Sequence, residues 1–195
     1  MFSKASHFAL TGLVVGGLML GTSGCGLEPG LTARAAGIAG RPAEVIANQA
    51  SRQALKWAGD SFLIAADGYN LDANSRLRNT AYSRWDFTYV SATKVGTLVI
   101  TVPGQGKITS TPTAPVSNAY QPLMIGGNWK IDSDKAAGVA RKALGSTAPD
   151  DRIDRISLVR GTWGAHLPQI AWQISADLGQ RMIVVDAQNG KLIAQ

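Results

Sequence analysis

The sequence predicts an α+β fold in which a helix packs on an antiparallel sheet, built as two tandem units. Three observations predict it. An apolar stripe at helical spacing occurs near residue 42 and again after residue 132. Each stripe is followed by segments in which apolar and polar residues alternate, the signature of half-buried strands. Turn residues punctuate those segments, above all Asn189-Gly190 between two apolar runs, a strong hairpin signal.

The first unit spans 42–109. Proline suits a first helical turn, and Pro42 precedes Val45, Ile46, Gln49, Ala50, Gln53, Ala54 and Trp57 at helical spacing. A helix is expected from 42 to 57, with Gly59 as its stop. Ser61 to Ala66 reads as a strand and Asp67 to Ser83 as a polar loop. Trp85, Phe87 and Tyr89 alternate with Asp86 and Thr88, a clear period of two. Thr97–Val102 is a further strand, Pro103-Gly104-Gln105-Gly106 a turn, and Lys107-Ile108-Thr109 a short edge strand.

Residues 110–131 form a connector rich in Pro and Gly. The second unit spans 132–195. Asp132 or Ser133 can cap its helix, whose stripe is Ala136, Val139, Ala140, Ala143 and Leu144, with Gly145 at the end. Strands follow at Ile153–Leu158, Ile170–Ala176 and Met182–Val185, and Lys191-Leu192-Ile193 closes the chain. The pattern thus repeats: Trp85 corresponds to Trp172, and Gly106-Lys107-Ile108 to Gly190-Lys191-Leu192. The two spacings are unequal, and a longer hairpin in the first copy would absorb the difference.

Residues 132–195 resemble a PepSY domain. The resemblance rests on Ala171-Trp172-Gln173-Ile174 followed by Val184-Val185-Asp186-Ala187-Gln188-Asn189-Gly190-Lys191-Leu192. Residues 42–109 look like a divergent second copy in which Val102-Pro103 stands where the acidic turn is expected. The resemblance implies two PepSY-like, cystatin-like units and a place in a bacterial envelope. It also implies a role in binding or restraining proteins, peptidases in particular, and it brings no catalytic residues.

The N-terminus carries an address. Lys4, an apolar run from Phe8 to Leu20 and small residues up to Cys25 are the three parts of a secretory signal over residues 1–24. The apolar run is shorter than the ~20 residues a membrane span needs. Leu20-Gly21-Thr22-Ser23-Gly24-Cys25 resembles a bacterial lipobox, with Thr22 where Leu or Val is usual. That resemblance implies lipidation of Cys25 and cleavage before it, so that residues 25–41 form a lipid-anchored tether. The expected location is the cell envelope, with plain secretion as the alternative. Cys25 is the only cysteine, so an intrachain disulfide is excluded.

The formal charge of +6 favours anionic surroundings such as headgroups, wall polymers or acidic partners. No dense Lys/Arg run is present and the export signal removes the chain from nucleic acid, so nucleic acid is not expected as a partner. Apolar residues make up 45% of the chain, enough for a packed core.

Catalytic machinery is not expected. His166 is the single histidine after the signal, and no Ser motif of the elbow type surrounds it. One His and one terminal Cys argue against a zinc site, and no cofactor is implied. The carboxylates Asp132, Asp134, Asp150, Asp151 and Asp154 are read as structural, with acid–base work as the alternative. Asp186 is expected to accept backbone N–H bonds in the turn that follows it.

Two loops are candidate interaction surfaces. In Gly161–Pro168, Trp163 is a candidate anchor beside His166; the alternative is that Trp163 folds back on the sheet and His166 is merely solvated. In 67–83, Arg76 and Arg78 could meet phosphate or carboxylate groups. Trp57, Trp85 and Trp172 are expected in the core. The functional expectation is a non-catalytic, protein-binding or peptidase-restraining envelope lipoprotein, its partners being an envelope protein and the membrane through Cys25. The alternative is a structural envelope protein whose basic surface binds anionic polymers or lipids.

Overall fold

The computed structural model describes residues 38–114, 125, 129–145, 153–163 and 169–195. The signal, Cys25, the tether up to residue 37, most of the connector, Asp150, Asp151 and His166 lie outside the described residues. The chain divides into Met1–Leu31 and Thr32–Gln195, and everything described belongs to the second part. No helix among the described residues is long and apolar enough to cross a membrane.

Among the described residues the architecture is α+β, with two helices and one eight-stranded antiparallel sheet. In chain order the elements are α1 (Ala43–Trp57), β1 (Phe62–Tyr69), β2 (Arg84–Val90), β3 (Thr97–Pro103), β4 (Thr109–Thr113), α2 (Ser133–Ala143), β5 (Ile153–Gly161), β6 (Gln169–Ala176), β7 (Arg181–Asp186) and β8 (Leu192–Ala194). A helix followed by four strands therefore occurs twice. The strand order is β4-β3-β2-β1-β5-β6-β7-β8, so the two quartets join edge to edge through β1 and β5. Four residue pairs make that seam: Ala66↔Leu158, Asp67↔Ser157, Gly68↔Ile156 and Tyr69↔Arg155.

Alternation explains the layers. In β2, Trp85, Phe87 and Tyr89 are buried, whereas Arg84, Asp86 and Thr88 face the other way. In β6 and β7, Trp172, Ile174, Ile183 and Val185 are fully buried. These apolar sides, with Ile46, Ala50 and Ala54 of α1 and Ala136 and Ala140 of α2, form a single core that runs through both quartets. Trp85 and Trp172 are core residues as expected. Trp57 is only partly buried, packed against the core at the end of α1 with the Lys94 ammonium 5.6 Å from its ring centroid.

The two helix N-termini meet at one buried cap. Pro42 is the N-cap of α1 and offers no side-chain acceptor. Asp132, the N-cap of α2, fills that gap: its Oδ1 accepts from Ser133 N at 2.6 Å and from Glu44 N of α1 at 3.1 Å. Ser133 Oγ accepts from Ala43 N at 3.1 Å and donates to Ser75 O at 3.2 Å. Both residues named for capping are used, but on two helices. The first four N–H groups of a helix lack intrahelical partners, which is why a helix opening on proline needs such help.

Three boundaries differ from the sequence reading. β1 runs on through Asp67, Gly68 and Tyr69, where the sequence predicts loop, because a bulge after Leu63 shifts the alternation and puts Asp67 and Tyr69 on the polar side. β5 likewise extends to Gly161. The last strand of the first quartet is Thr109–Thr113, beyond the expected end of the first unit at 109. It accommodates Pro112 because it is an edge strand, where a missing N–H is tolerated. The unequal spacing of the two copies falls in the β2–β3 hairpin: Trp85↔Val102 spans a longer connection than Trp172↔Val185.

Candidate binding surface

Both helices lie on one side of the sheet, since Asp132 caps both and Trp85 touches Trp172 beneath it. The opposite side of the described sheet is not covered by either helix. Alternation has put its polar residues there, and they are organised. Asp67 and Asp86 are direct cross-strand neighbours on β1 and β2. Two carboxylates in that position repel. Each has its own partners: Arg155 Nη2 lies 2.6 Å from Asp67 Oδ1, and Ser157 Oγ donates to the same oxygen at 2.5 Å. Arg84 Nε lies 3.0 Å from Asp86 Oδ2, and Thr101 Oγ1 donates to Oδ1 at 2.7 Å.

Tyr69 stands between the two arginines. Its ring centroid is 4.5 Å from the guanidinium carbon of Arg84 and 5.2 Å from that of Arg155, cation–π distances. Burial, and next the nearby Asp67 carboxylate, push its phenol above the usual tyrosine value. Beside this ladder a shallow depression of about 310 Å³ is lined by Asp67, Arg155, Ser157, Gln173, Ser175 and Met182 among others. The arrangement offers paired donors and acceptors held by one another on a rigid sheet, with an aromatic ring among them.

Trp163 belongs to the same side. Its ring lies over Gly161, where a Cβ would meet Cζ2 at 3.1 Å, and the residue is half-buried. It folds back on the sheet and extends the open face at the end of β5. The position of His166 lies outside the described residues.

Arg76 and Arg78 sit apart from this face and hold the 70–83 loop. Arg76 Nη2 pairs with Asp134 Oδ2 of α2 at 3.1 Å, and Arg78 Nε donates to Leu71 O at 2.7 Å. Arg78 also lines an open groove of about 460 Å³ with Thr80, Tyr82 and Asp154. Asp154 accepts from Gly179 N, and Asp186 from Gln188 N and Asn189 N, so these carboxylates serve turns. Among the described residues no group of three or more His, Cys, Asp or Glu could hold a metal ion.

On the helix side a cleft of about 380 Å³ runs along α1, lined by Asn48, Ser51, Leu55, Phe62, Tyr89 and Trp129 among others. Ser51 Oγ and Tyr89 Oη are 3.0 Å apart in its wall. The outer surface of the helices is basic: Arg52 and Lys56 of α1 and Lys135 and Lys142 of α2 are exposed, and Glu44 is the exposed acid.

The sequence reading missed the open-face ladder. Its signal was present in the polar partners of each apolar alternation, Arg84 and Asp86 beside Trp85 and Phe87, and Arg155 and Ser157 beside Ile156 and Leu158. No family model matches the chain, and neither a curated protein nor a solved structure does.

Proposed function

We propose that this chain is an exported, lipid-anchored, PepSY-like envelope protein that binds another protein without catalysis and restrains it, a peptidase being the favoured class. The open sheet face is the surface that engages the partner. The observation that carries this reading is the Asp67–Arg155 and Asp86–Arg84 ladder around Tyr69 on a face that neither helix covers. Preorganised polar groups lose little freedom on binding, and a half-buried aromatic such as Trp163 is a suitable anchor. The lipobox-like segment ending at Cys25 supports the anchor and the location. The intact mass of the protein recovered from cells tests it: acylation and loss of residues 1–24 are expected, and a full-length, unmodified chain would remove the anchor from the account.

A second reading, a basic surface on anionic polymers or lipids, is favoured by one observation. Among the described residues four exposed cations, Arg52, Lys56, Lys135 and Lys142, lie on the two helices against one exposed helix acid, Glu44. The two readings use opposite sides of the sheet and are compatible.

A further inference from the structure

We infer that the outer face of α1 and α2 is a membrane-docking surface for anionic lipid headgroups, which turns the open sheet face away from the bilayer. The inference rests on the lipid-anchor reading for its setting, and on the fold for the surface.

The helices present four exposed cations, Arg52, Lys56, Lys135 and Lys142, against one exposed acid, Glu44. Of the other acids near the helix starts, Asp134 is paired with Arg76 and Asp132 is buried in the shared cap. Spacing aligns the cations: Arg52 and Lys56 are one turn apart on α1, and Lys135 and Lys142 two turns apart on α2. Val45 and Leu55 of α1 lie among them and are 48% and 53% exposed. Apolar side chains between basic ones on a helix surface fit a headgroup layer, the cations meeting phosphates and the aliphatic groups entering just below. The opposite side of the sheet lacks this character, because Arg84 and Arg155 are each matched by a carboxylate there. The bilayer is the occupant that chain length favours. Twelve residues separate Cys25 from Ile38, which is already buried in the core beside the start of α1, and the connection reaches at most about 45 Å when extended. A lipid on Cys25 would therefore hold the folded part within that distance of the bilayer, and the charge of the helix face selects the side that docks.

The test uses the protein as cells deliver it, after intact mass has reported whether Cys25 is acylated; that answer decides the anchor independently of docking. Lysine acetylation is followed by mass spectrometry with vesicles of phosphatidylcholine alone or mixed with phosphatidylglycerol. One basic residue near an anionic surface is worth about fivefold in partition. The expected result is labelling of Lys56, Lys135 and Lys142 slowed by about that factor or more on the anionic vesicles. Lys107, in the turn between β3 and β4, should be unchanged, and the double variant Arg52→Glu with Lys56→Glu should lose the protection. Equal labelling on both vesicles, equal protection of Lys107, or protection that survives the charge reversal would overturn the inference. Equal protection by soluble polyglutamate would also overturn it, in favour of polymer binding.

Discussion

The ring of Trp85 meets that of Trp172 edge-on, with centroids 6.2 Å apart and planes at 72°. The two residues occupy equivalent places in the two quartets, on β2 and β6, and two strands lie between them in the sheet. They touch because Gly68 of β1 carries no side chain: a Cβ there would stand 2.9 Å from the Trp85 ring and 2.6 Å from Leu71 Cδ1. The quartets thus share one core as well as one sheet.

That contact makes Gly68 the most size-sensitive position of the seam. Gly68→Ala is expected to cost about 1–3 kcal/mol through overpacking. Urea denaturation should show it, with a changed near-ultraviolet circular dichroism from the tryptophan pair. Gly138 is the contrast: it lies inside α2, and nothing stands within 4 Å of its missing Cβ. Gly138→Ala should stabilise by about 0.5–1 kcal/mol from helix propensity.

The shared cap predicts a split between two substitutions at Asp132. Asp132→Ala leaves the N–H groups of Glu44 and Ser133 without their acceptor and should cost about 1–3 kcal/mol. Asp132→Asn keeps an acceptor oxygen and removes a charge from a buried site, and should cost much less. Burial pushes the Asp132 carboxyl above its ordinary value, outweighing the N–H bonds that favour the anion. A folded-state value above the unfolded one means stabilisation that is complete below the unfolded value and lost as pH rises through the folded one. The stability of the Asn variant relative to wild type should therefore increase with pH across that interval, as read from denaturation midpoints.

Tyr89 gives a second pH prediction. Burial raises its phenol to about 12, against the hydrogen bond from Ser51 that lowers it. The same sign applies: its contribution is full below the ordinary tyrosine value and is lost as pH rises toward about 12. Absorbance at alkaline pH should show one tyrosine ionising after the others and together with unfolding. In Tyr89→Phe that late step should be absent.

How much of this was legible in the sequence follows from which signals are local. The helices, the Trp-led strands and the Asn189-Gly190 turn each rest on spacing within one segment, and the structure has them. The Asp186 turn was legible for the same reason, since a carboxylate and the N–H groups two and three residues on are local partners. The shared cap was not, because Asp132 and Glu44 are far apart in sequence and only the fold brings the helix ends together. The far end of β1 is not legible, because the bulge after Leu63 breaks the period of two. The open face was half legible: alternation marked which residues would point away from the core, but not that Asp67 and Arg155 would meet across the seam.

The ladder itself should matter little to stability. Exposed ion pairs contribute about 0–1 kcal/mol, so Arg155→Ala is expected to shift the denaturation midpoint only slightly. A large loss of stability in Arg155→Ala would make the ladder a structural brace.

The most direct test of the binding account is crosslinked capture from envelope extract at moderate salt, read by mass spectrometry. Wild type is compared with Tyr69→Ala, Arg155→Ala and Trp163→Ala, and with the helix-side variant Lys135→Glu. One dominant protein, a peptidase in the favoured case, is expected to be retained by wild type and the helix-side variant and lost by the three open-face variants. Capture of the same protein by all of them, or only a diffuse set released by salt, would contradict the claim that the open sheet face binds the partner.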